Sequence, residues 1–261
     1  MTAEPAAPAV TAAMLVIGDE ILSGRTKDRN IGTVADFCTE LGIELREVRV
    51  VADDIGDIAA AVNALRERYT YVFTSGGIGP THDDITADAV ARAFGVELPV
   101  DERALAAMAS RYAEFEMTPA RLRMARIPGG GDPIENSVSA APGIHIGNVF
   151  VMAGVPLILQ AMLEAVAPRL KTGVKLSSTA VESHVGEGTL GDELGEIQRA
   201  YPGVRIGSYP QFGTGEGKDY VTQIVMRSAD RAALAAATEK VKALIERLHR
   251  ENGIEPEKAG P

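Results

Sequence analysis

Residues 71–86 read YVFTSGGIGPTHDDIT, and this stretch decides how the chain folds. An apolar strand runs into a glycine-rich turn and then into the start of a helix, the order in which a parallel strand delivers a ligand-binding loop. The glycines leave room for backbone N–H groups to surround an anion. Asp83 and Asp84 would repel that anion unless a cation lay between them. The stretch therefore predicts a phosphate-binding loop with a metal site attached.

The loop does not follow two common phosphate-binding motifs. It has no lysine where a Walker A loop places one, and His82 stands where a dinucleotide fingerprint requires glycine. Two interpretations of His82 are open: a metal ligand or proton shuttle, and a turn residue bonded to backbone. The loop is predicted to bind phosphate chiefly through its backbone amides.

The segments around the loop alternate between strands and helices. A continuous apolar run at residues 13–17 predicts a buried strand, and residues 45–51, 71–74 and 148–152 are also predicted to be strands. Helical spacing of apolar residues covers residues 30–41, 55–68, 86–94, 102–115, 119–126 and 157–170. Asn30 is predicted to cap the first of these helices. The alternation implies right-handed crossovers and a three-layer α/β fold around a mostly parallel sheet.

Carboxylates follow three of the predicted strands. Asp19 and Glu20 end the first strand, Asp53 and Asp54 the second, and Asp83 lies in the loop after the third. Carboxyl ends of parallel strands share one edge of a sheet, so we expect these acids to converge on the glycine loop. Asp54 has an equal alternative interpretation as the cap of the helix that follows it.

The pattern changes after residue 171. Strands and helices then follow in the order β-α-β-β-α, which predicts a second, smaller α+β domain. The predicted division is a disordered tail over residues 1–12, a first domain over 13–171, a second domain over 172–252 and a frayed tail over 253–261.

Composition excludes several classes of partner. The 26 basic and 36 acidic residues give a net charge of −10, which argues against nucleic acid and anionic membrane surfaces. The GxxG sequence at 188–191 is surrounded by acids, which argues against nucleic-acid binding there as well. No apolar stretch is long enough to span a bilayer. Cys38, the single cysteine, occupies an apolar helix position and is predicted to be a buried thiol in a reducing cytoplasm.

Four short segments resemble the amino-terminal domain of the competence/damage-inducible protein A (CinA) family. They are VIGDEILSG at 16–24, TSGGIGPTHDDIT at 74–86, APG at 141–143 and GVP at 154–156. That domain belongs to the molybdopterin-binding group that includes MogA and MoaB, and it is similar to the flavin-hydrolysing half of eukaryotic FAD synthases. The segment that follows resembles the small KH-like domain of the same family. The amidase domain of longer relatives has no counterpart here, so amidase activity is not expected.

The resemblance implies metal-dependent hydrolysis of a nucleotide pyrophosphate such as ADP-ribose or FAD. The residues implied for phosphate and nucleotide binding are Thr74, Ser75, Gly76, Gly77, Gly79, Asn136, Gly154 and Pro156. Those implied for catalysis are Asp19, Glu20, His82 and Asp83, with His82 or Glu20 taking the proton of the attacking water. A divalent cation (Mg²⁺, Mn²⁺ or Co²⁺) would be held by Asp19, Asp53, Asp83 and Asp84.

Two alternatives stay open. In the first, the same site binds molybdopterin or adenylylates it, as in the MogA branch. In the second, the chain is a nucleotide-binding module without catalysis, which the sequence Asn-Ser-Val-Ser at 136–139 permits because relatives usually have Asn-Pro-x-Gly there. In every case we expect a small-molecule ligand and a homo-oligomer, with a dimer favoured.

Overall fold

The computed structural model describes residues 9–111, 117–139, 141–212 and 220–254. Contacts divide the chain into two compact units, Met1–Gly173 and Val174–Pro261. The first strand begins at Thr11, so the predicted tail over 1–12 is two residues too long at its end. Most of both predicted tails, and the end of the helix predicted over 102–115, lie outside the described residues.

The first unit contains six strands and seven α-helices among its described residues. Its strands are β1 (Thr11–Ile17), β2 (Glu44–Val51), β3 (Tyr71–Ser75), β4 (Asp132–Ile134), β5 (Gly143–Ile146) and β6 (Val149–Met152). Its helices are α1 (Asp19–Leu22), α2 (Asn30–Glu40), α3 (Ile55–Arg66), α4 (Thr86–Phe94), α5 (Glu102–Arg111), α6 (Pro119–Arg123) and α7 (Pro156–Val166), and a 3₁₀ turn (Ala167–Arg169) follows α7.

The six strands form one sheet in the order β2-β1-β3-β6-β5-β4. The four strands from β2 to β6 pair in parallel, and β5 and β4 continue the sheet in antiparallel pairs. The mostly parallel sheet is therefore confirmed. The sequence predicted no strand between residues 126 and 148, whereas β4 and β5 both lie there. These strands have three and four residues, too few to show a period of two.

Helices cover both faces of this sheet. Alternate residues of β1 point to opposite faces, so that Leu15 packs with α3 and α4 in one core while Met14 packs with α2 and α7 in the other. Both side chains are fully buried. The two cores confirm the three-layer architecture.

The second unit has the predicted β-α-β-β-α order. Its elements are β7 (Ser177–Ser183), α8 (Glu187–Ala200), β8 (Arg205–Phe212), β9 (Tyr220–Ser228) and α9 (Arg231–Glu251). The three strands form an antiparallel sheet in the order β7-β9-β8. Apolar side chains of this sheet pack with α8 and α9, as Ile224, Leu190 and Val241 illustrate.

Several local predictions can be checked in the first unit. Asn30 is the first residue of α2 and does not cap it; the Asp28 carboxylate instead accepts a hydrogen bond from the Ile31 amide (2.8 Å). Asp54 does cap α3, because its Oδ1 accepts from the amides of the first turn. Cys38 is buried, and burial raises the pKa of its thiol to about 12. In the described part of the chain, no helix has the length and apolarity needed to cross a membrane.

Candidate functional site

A large cavity opens where β1, β3 and β6 end. Its volume is about 980 Å³, and its walls include Ile17, Ser75 and Gly154, which lie at or just after the ends of those three strands. The register places Ser75 between Val16 of β1 and Met152 of β6. The parallel sheet thus gathers the glycine loop and the turn before α7 at one edge, as the topology predicts.

The glycine turn is held in a conformation that only glycine adopts easily. Gly76 and Gly77 have φ angles of 113° and 67°. A Cβ on Gly76 would lie 2.2 Å from the Ile17 carbonyl oxygen, and one on Gly77 would lie 2.2 Å from Thr86 Oγ1. The buried Thr86 hydroxyl donates to the Gly76 carbonyl (3.0 Å), and the Thr86 amide donates to the Gly77 carbonyl (3.0 Å). The first residue of α4 therefore fixes the turn.

Part of the predicted amide cradle is available to a ligand. The Gly76 amide donates to the Met152 carbonyl (3.1 Å), so it is already used. The amides of Gly77, Ile78 and Gly79 have no hydrogen-bond partner within the described ranges, and all three residues line the cavity. Thr74 is fully buried in β3 and is not part of the cavity wall. The cradle is thus formed by residues 77–79 together with the Ser75 side chain.

Asn30 joins two walls of the cavity. Its Nδ2 donates to Ser75 Oγ (2.7 Å) and to the Gly154 carbonyl (2.8 Å), and the residue is only 4% exposed. The sequence-based interpretation as a helix cap missed this role. The spacing Asp28-x-Asn30 carried the necessary signal, because an aspartate at 28 can cap α2 and leaves the asparagine for another task. We call Asn30, Ser75, Gly77 and Gly154 the cavity floor.

Asn136 also lines the cavity, but its polar atoms are already paired. Its Oδ1 accepts from the amides of Val138 (2.9 Å) and Ser139 (3.2 Å), and its Nδ2 donates to Ser139 Oγ (2.7 Å) and the Ala141 carbonyl (2.9 Å). The side chain holds the shape of residues 136–141. Pro156 lines the cavity as the first residue of α7.

Three basic residues missed by the sequence-based prediction line the cavity. Arg25, Lys27 and Arg29 lie between α1 and the start of α2, and all three are exposed. The acids Glu20 and Asp84 line it too. Asp84 is engaged within its own turn, because its Oδ2 accepts from the Thr81 amide (2.8 Å) and hydroxyl (2.5 Å). Over residues 19–29 these three basic residues are balanced by Asp19, Glu20 and Asp28. The segment therefore has no net charge and does not predict an anion site.

We call Asp19, Asp53 and Asp83 the acidic rim; none of these side chains lines the cavity. The Asp19 amide donates to Asp53 Oδ2 (2.9 Å), so the ends of β1 and β2 do meet. Burial, and then the negative charges of Asp19, Glu20 and Asp83, raise the pKa of Asp53 above its usual value, although the Asp19 amide opposes this. The side chains of His82 and Asp83 are 97% and 65% exposed.

The rim fits a metal only in part. Across the described ranges, no three His, Cys, Asp or Glu side chains are grouped closely enough to hold a metal ion. Asp19 and Asp53 suit an ion of the Mg²⁺ type, which takes one or two carboxylates and completes its shell with water and substrate phosphate. Burial is the main cause of the raised pKa of Asp53, and the smaller contribution of the neighbouring carboxylates is negative charge that a cation would offset.

Comparison with known families decides the classification. Residues 13–172 match the model of a probable molybdopterin binding domain. The chain belongs to this family. Its three-layer α/β architecture around a mostly parallel sheet is the fold predicted from the sequence for the molybdopterin-binding group. Residues 175–251 match the model of the FAD synthase middle domain, so the KH-like assignment of the second unit stays a prediction.

Relatives support the resemblance to CinA. Protein Ta0487 of Thermoplasma acidophilum is 32% identical over 229 residues, which cover 85% of this chain and 90% of that protein. A CinA-like protein of Desulfosudis oleivorans is 36% identical over 214 residues, covering 77% of this chain but 52% of the relative. The solved structure of CinA, of unknown function, from Thermoplasma acidophilum is 39% identical, with a TM-score of 0.59, and matches 62% of this chain and 98% of that chain.

Proposed function

We propose that the cavity binds the diphosphate of a nucleotide such as ADP-ribose or FAD, and that the chain hydrolyses the pyrophosphate bond with a divalent cation. One observation carries this proposal: three unpaired amides and the Ser75 hydroxyl line one wall of a cavity of about 980 Å³. Grouped amide donors are the usual way in which a glycine loop binds phosphate. The volume lies at the upper end of the range for small-molecule sites, which suits a dinucleotide.

The chain's own residues would bind and orient the diphosphate. The amides of residues 77–79 donate to the phosphoryl oxygens, and the Ser75 hydroxyl adds a further donor. Arg25, Lys27 and Arg29, which line the same cavity, offset the negative charge of the ligand. The overall net charge of −10 makes this local positive charge necessary, because the rest of the surface repels an anion.

Glu20 is the best placed proton acceptor. Of the four side chains predicted to act in catalysis, Glu20 is the one that lines the cavity. In this role its carboxylate takes a proton from the attacking water. Asp19 and Asp53 would hold the cation, which when bound polarises a phosphoryl oxygen and lowers the pKa of water.

Two other functions have a supporting observation each. The family model over residues 13–172 is named for molybdopterin binding, which favours molybdopterin as ligand of the same cavity. The exposure of His82 and Asp83 outside the cavity favours a module that binds nucleotide without hydrolysing it. The match of the second unit to the FAD synthase middle domain supports a nucleotide ligand over molybdopterin.

Release of AMP tests the proposal directly. ADP-ribose and FAD are each incubated with the protein and Mg²⁺, Mn²⁺ or Co²⁺, and products are separated by chromatography. We expect AMP in at least one combination, loss of AMP when the metal is chelated, and a decrease of about 100-fold in Glu20→Gln. Glu40→Gln, an exposed glutamate at the end of α2, is the matched control and should keep full activity.

The same experiment separates the alternatives. Tight binding of both nucleotides without AMP release under any metal would contradict hydrolysis and favour the binding module. Molybdopterin retained through purification, together with no nucleotide binding, would favour the molybdopterin function.

A further inference from the structure

Resting on the proposed function, we propose that Asn30 is a positioning residue that makes the Ser75 hydroxyl a donor toward the ligand's phosphate. Asn30 itself belongs to the helix α2, whereas Ser75 ends β3 and Gly154 follows β6. The hydrogen bonds of this one side chain reach both of the other segments. The direction of these hydrogen bonds, from donor to acceptor, determines whether the Ser75 hydroxyl can donate to a ligand.

The orientation of the Asn30 amide follows from its partners. The Gly154 carbonyl can only accept, so the atom 2.8 Å from it must be the Nδ2 donor. The second Nδ2 hydrogen then points at Ser75 Oγ, 2.7 Å away. Reversing the amide would place two carbonyl oxygens against each other, which is unfavourable.

The donor role of Asn30 determines the role of Ser75. A serine hydroxyl has one hydrogen and two acceptor lone pairs. Because Oγ accepts from Asn30, its own hydrogen points elsewhere, and Ser75 lines the cavity beside the unpaired amides of residues 77–79. A phosphoryl oxygen bound there would receive the Ser75 hydrogen bond in addition to the amide bonds.

The oxygen of the Asn30 side chain amide is left without a hydrogen bond within the described ranges by this arrangement, which is unfavourable for folding. Asn30 Oδ1 is buried and has no hydrogen-bond partner in the described part of the chain. Such orphan acceptors are rare in folded proteins and concentrate at functional sites. The amide thus leaves its oxygen unpaired while both Nδ2 hydrogens are used to orient Ser75 and join the walls.

Asparagine-to-aspartate exchange reverses the polarity without changing the shape. In Asn30→Asp the side chain at 30 accepts instead of donating, so the Ser75 hydrogen turns toward it and away from the cavity, and the hydrogen bond to the Gly154 carbonyl is lost. The new negative charge also repels phosphate, and that second effect needs its own control. Asn136→Asp supplies it, because Asn136 lines the same cavity without bonding to Ser75.

A double-mutant cycle tests the positioning role. Calorimetry measures the binding of α,β-methylene-ADP, which resists hydrolysis, to the wild type, Ser75→Ala, Asn30→Asp and the double variant. We expect about tenfold weaker binding in Ser75→Ala and at least tenfold in Asn30→Asp, with the double variant within twofold of Asn30→Asp alone. In the control cycle with Asn136→Asp, the losses should multiply.

The outcomes distinguish the inference from the function on which it rests. Multiplied losses for Asn30→Asp and Ser75→Ala would overturn the positioning role while leaving nucleotide binding intact. If the wild type does not bind the analogue, the proposed function fails and the inference fails with it. Circular dichroism checks folding; if Asn30→Asp unfolds, Asn30→Ala replaces it, and its smaller loss should again vanish in the Ser75→Ala background.

Discussion

The cavity floor and the acidic rim lie at the same edge of the sheet but are built differently. The two floor side chains are buried and bonded to each other: Ser75 is 2% exposed and Asn30 is 4% exposed, and Asn30 also donates to the Gly154 carbonyl. The rim carries charge and faces solvent, as the 65% exposure of Asp83 shows. The chemistry of the rim residues is evident from the sequence, whereas the floor residues are the ones that line the cavity.

Under the proposed function, this difference assigns binding to the floor and turnover to the rim. Enclosure and fixed donors determine where a phosphate rests, because they are preorganised before the ligand arrives. Solvent-exposed carboxylates contribute mainly once a cation joins them, because their mutual repulsion otherwise opposes convergence. Changes in the floor should therefore affect binding, and changes in the rim should affect turnover.

The largest effect is expected at Gly76, the backbone position between the floor residues Ser75 and Gly77. A Cβ on Gly76 would lie 2.2 Å from the backbone oxygen of Ile17 at a φ of 113°. Gly76→Ala should lower the free energy of unfolding by about 2–4 kcal/mol and abolish nucleotide binding. Urea unfolding and calorimetry measure the two quantities.

A matched glycine in α2 provides the control. Gly32 has open space around the position of a Cβ. Gly32→Ala should leave binding unchanged and raise the free energy of unfolding by about 0.5–1 kcal/mol through helix propensity. Equal destabilisation by the two substitutions would contradict the requirement for glycine at position 76.

Kinetic constants should separate the rim from the floor. Asp19→Asn removes a carboxylate that would hold the cation, so kcat should fall about 100-fold with little change in analogue binding in the absence of metal. Ser75→Ala removes a donor to phosphate, so KM should rise about tenfold with kcat within about threefold. A change mainly in KM for Asp19→Asn and mainly in kcat for Ser75→Ala, measured in steady-state assays, would contradict the assignment of binding to the floor and turnover to the rim.

A smaller effect is expected on the pH dependence of stability. Burial and neighbouring carboxylates raise the pKa of Asp53 in the folded chain, so the folded state binds its proton more tightly than the unfolded state. The free energy of unfolding therefore falls as pH rises from the unfolded pKa through the raised folded value. Asp53→Asn removes this loss, so without metal its Tm should exceed the wild-type Tm by about 1–2 °C at pH 7.

Two further measurements complete the test of Asp53. Below about pH 3 the carboxyl is protonated in both states, so the difference in Tm should disappear. Added Mg²⁺ should raise the Tm of the wild type and not that of Asp53→Asn. A lower Tm for Asp53→Asn than for the wild type at neutral pH without metal would show that the charge of Asp53 does not destabilise the folded state.

The smallest effect is expected at His82. Its side chain is 97% exposed and does not line the cavity. His82→Ala should leave kcat and KM within about twofold of the wild type, as exposed substitutions usually do. A tenfold loss of kcat would return His82 to the catalytic role that the sequence motif suggested.

Much of the fold could be predicted from particular patterns. The buried run at 13–17 and the loop at 75–79 set the parallel sheet and the edge at which the cavity opens. β4 and β5 were not predicted because three or four residues are too few to show a strand periodicity. Their pairing also depends on β6, which provides the edge on which β5 adds to the sheet. The role of Asn30 in the cavity was not predicted because helix capping is judged from neighbouring residues, whereas its partners Ser75 and Gly154 are 45 and 124 residues away.

The position of a bound diphosphate tests the central claim most directly. A crystal structure of the protein with α,β-methylene-ADP should place a phosphoryl oxygen about 3 Å from Ser75 Oγ and from the amides of Gly77 and Gly79. A diphosphate bound instead at Asp19 and Asp53, with the floor vacant, would contradict the account.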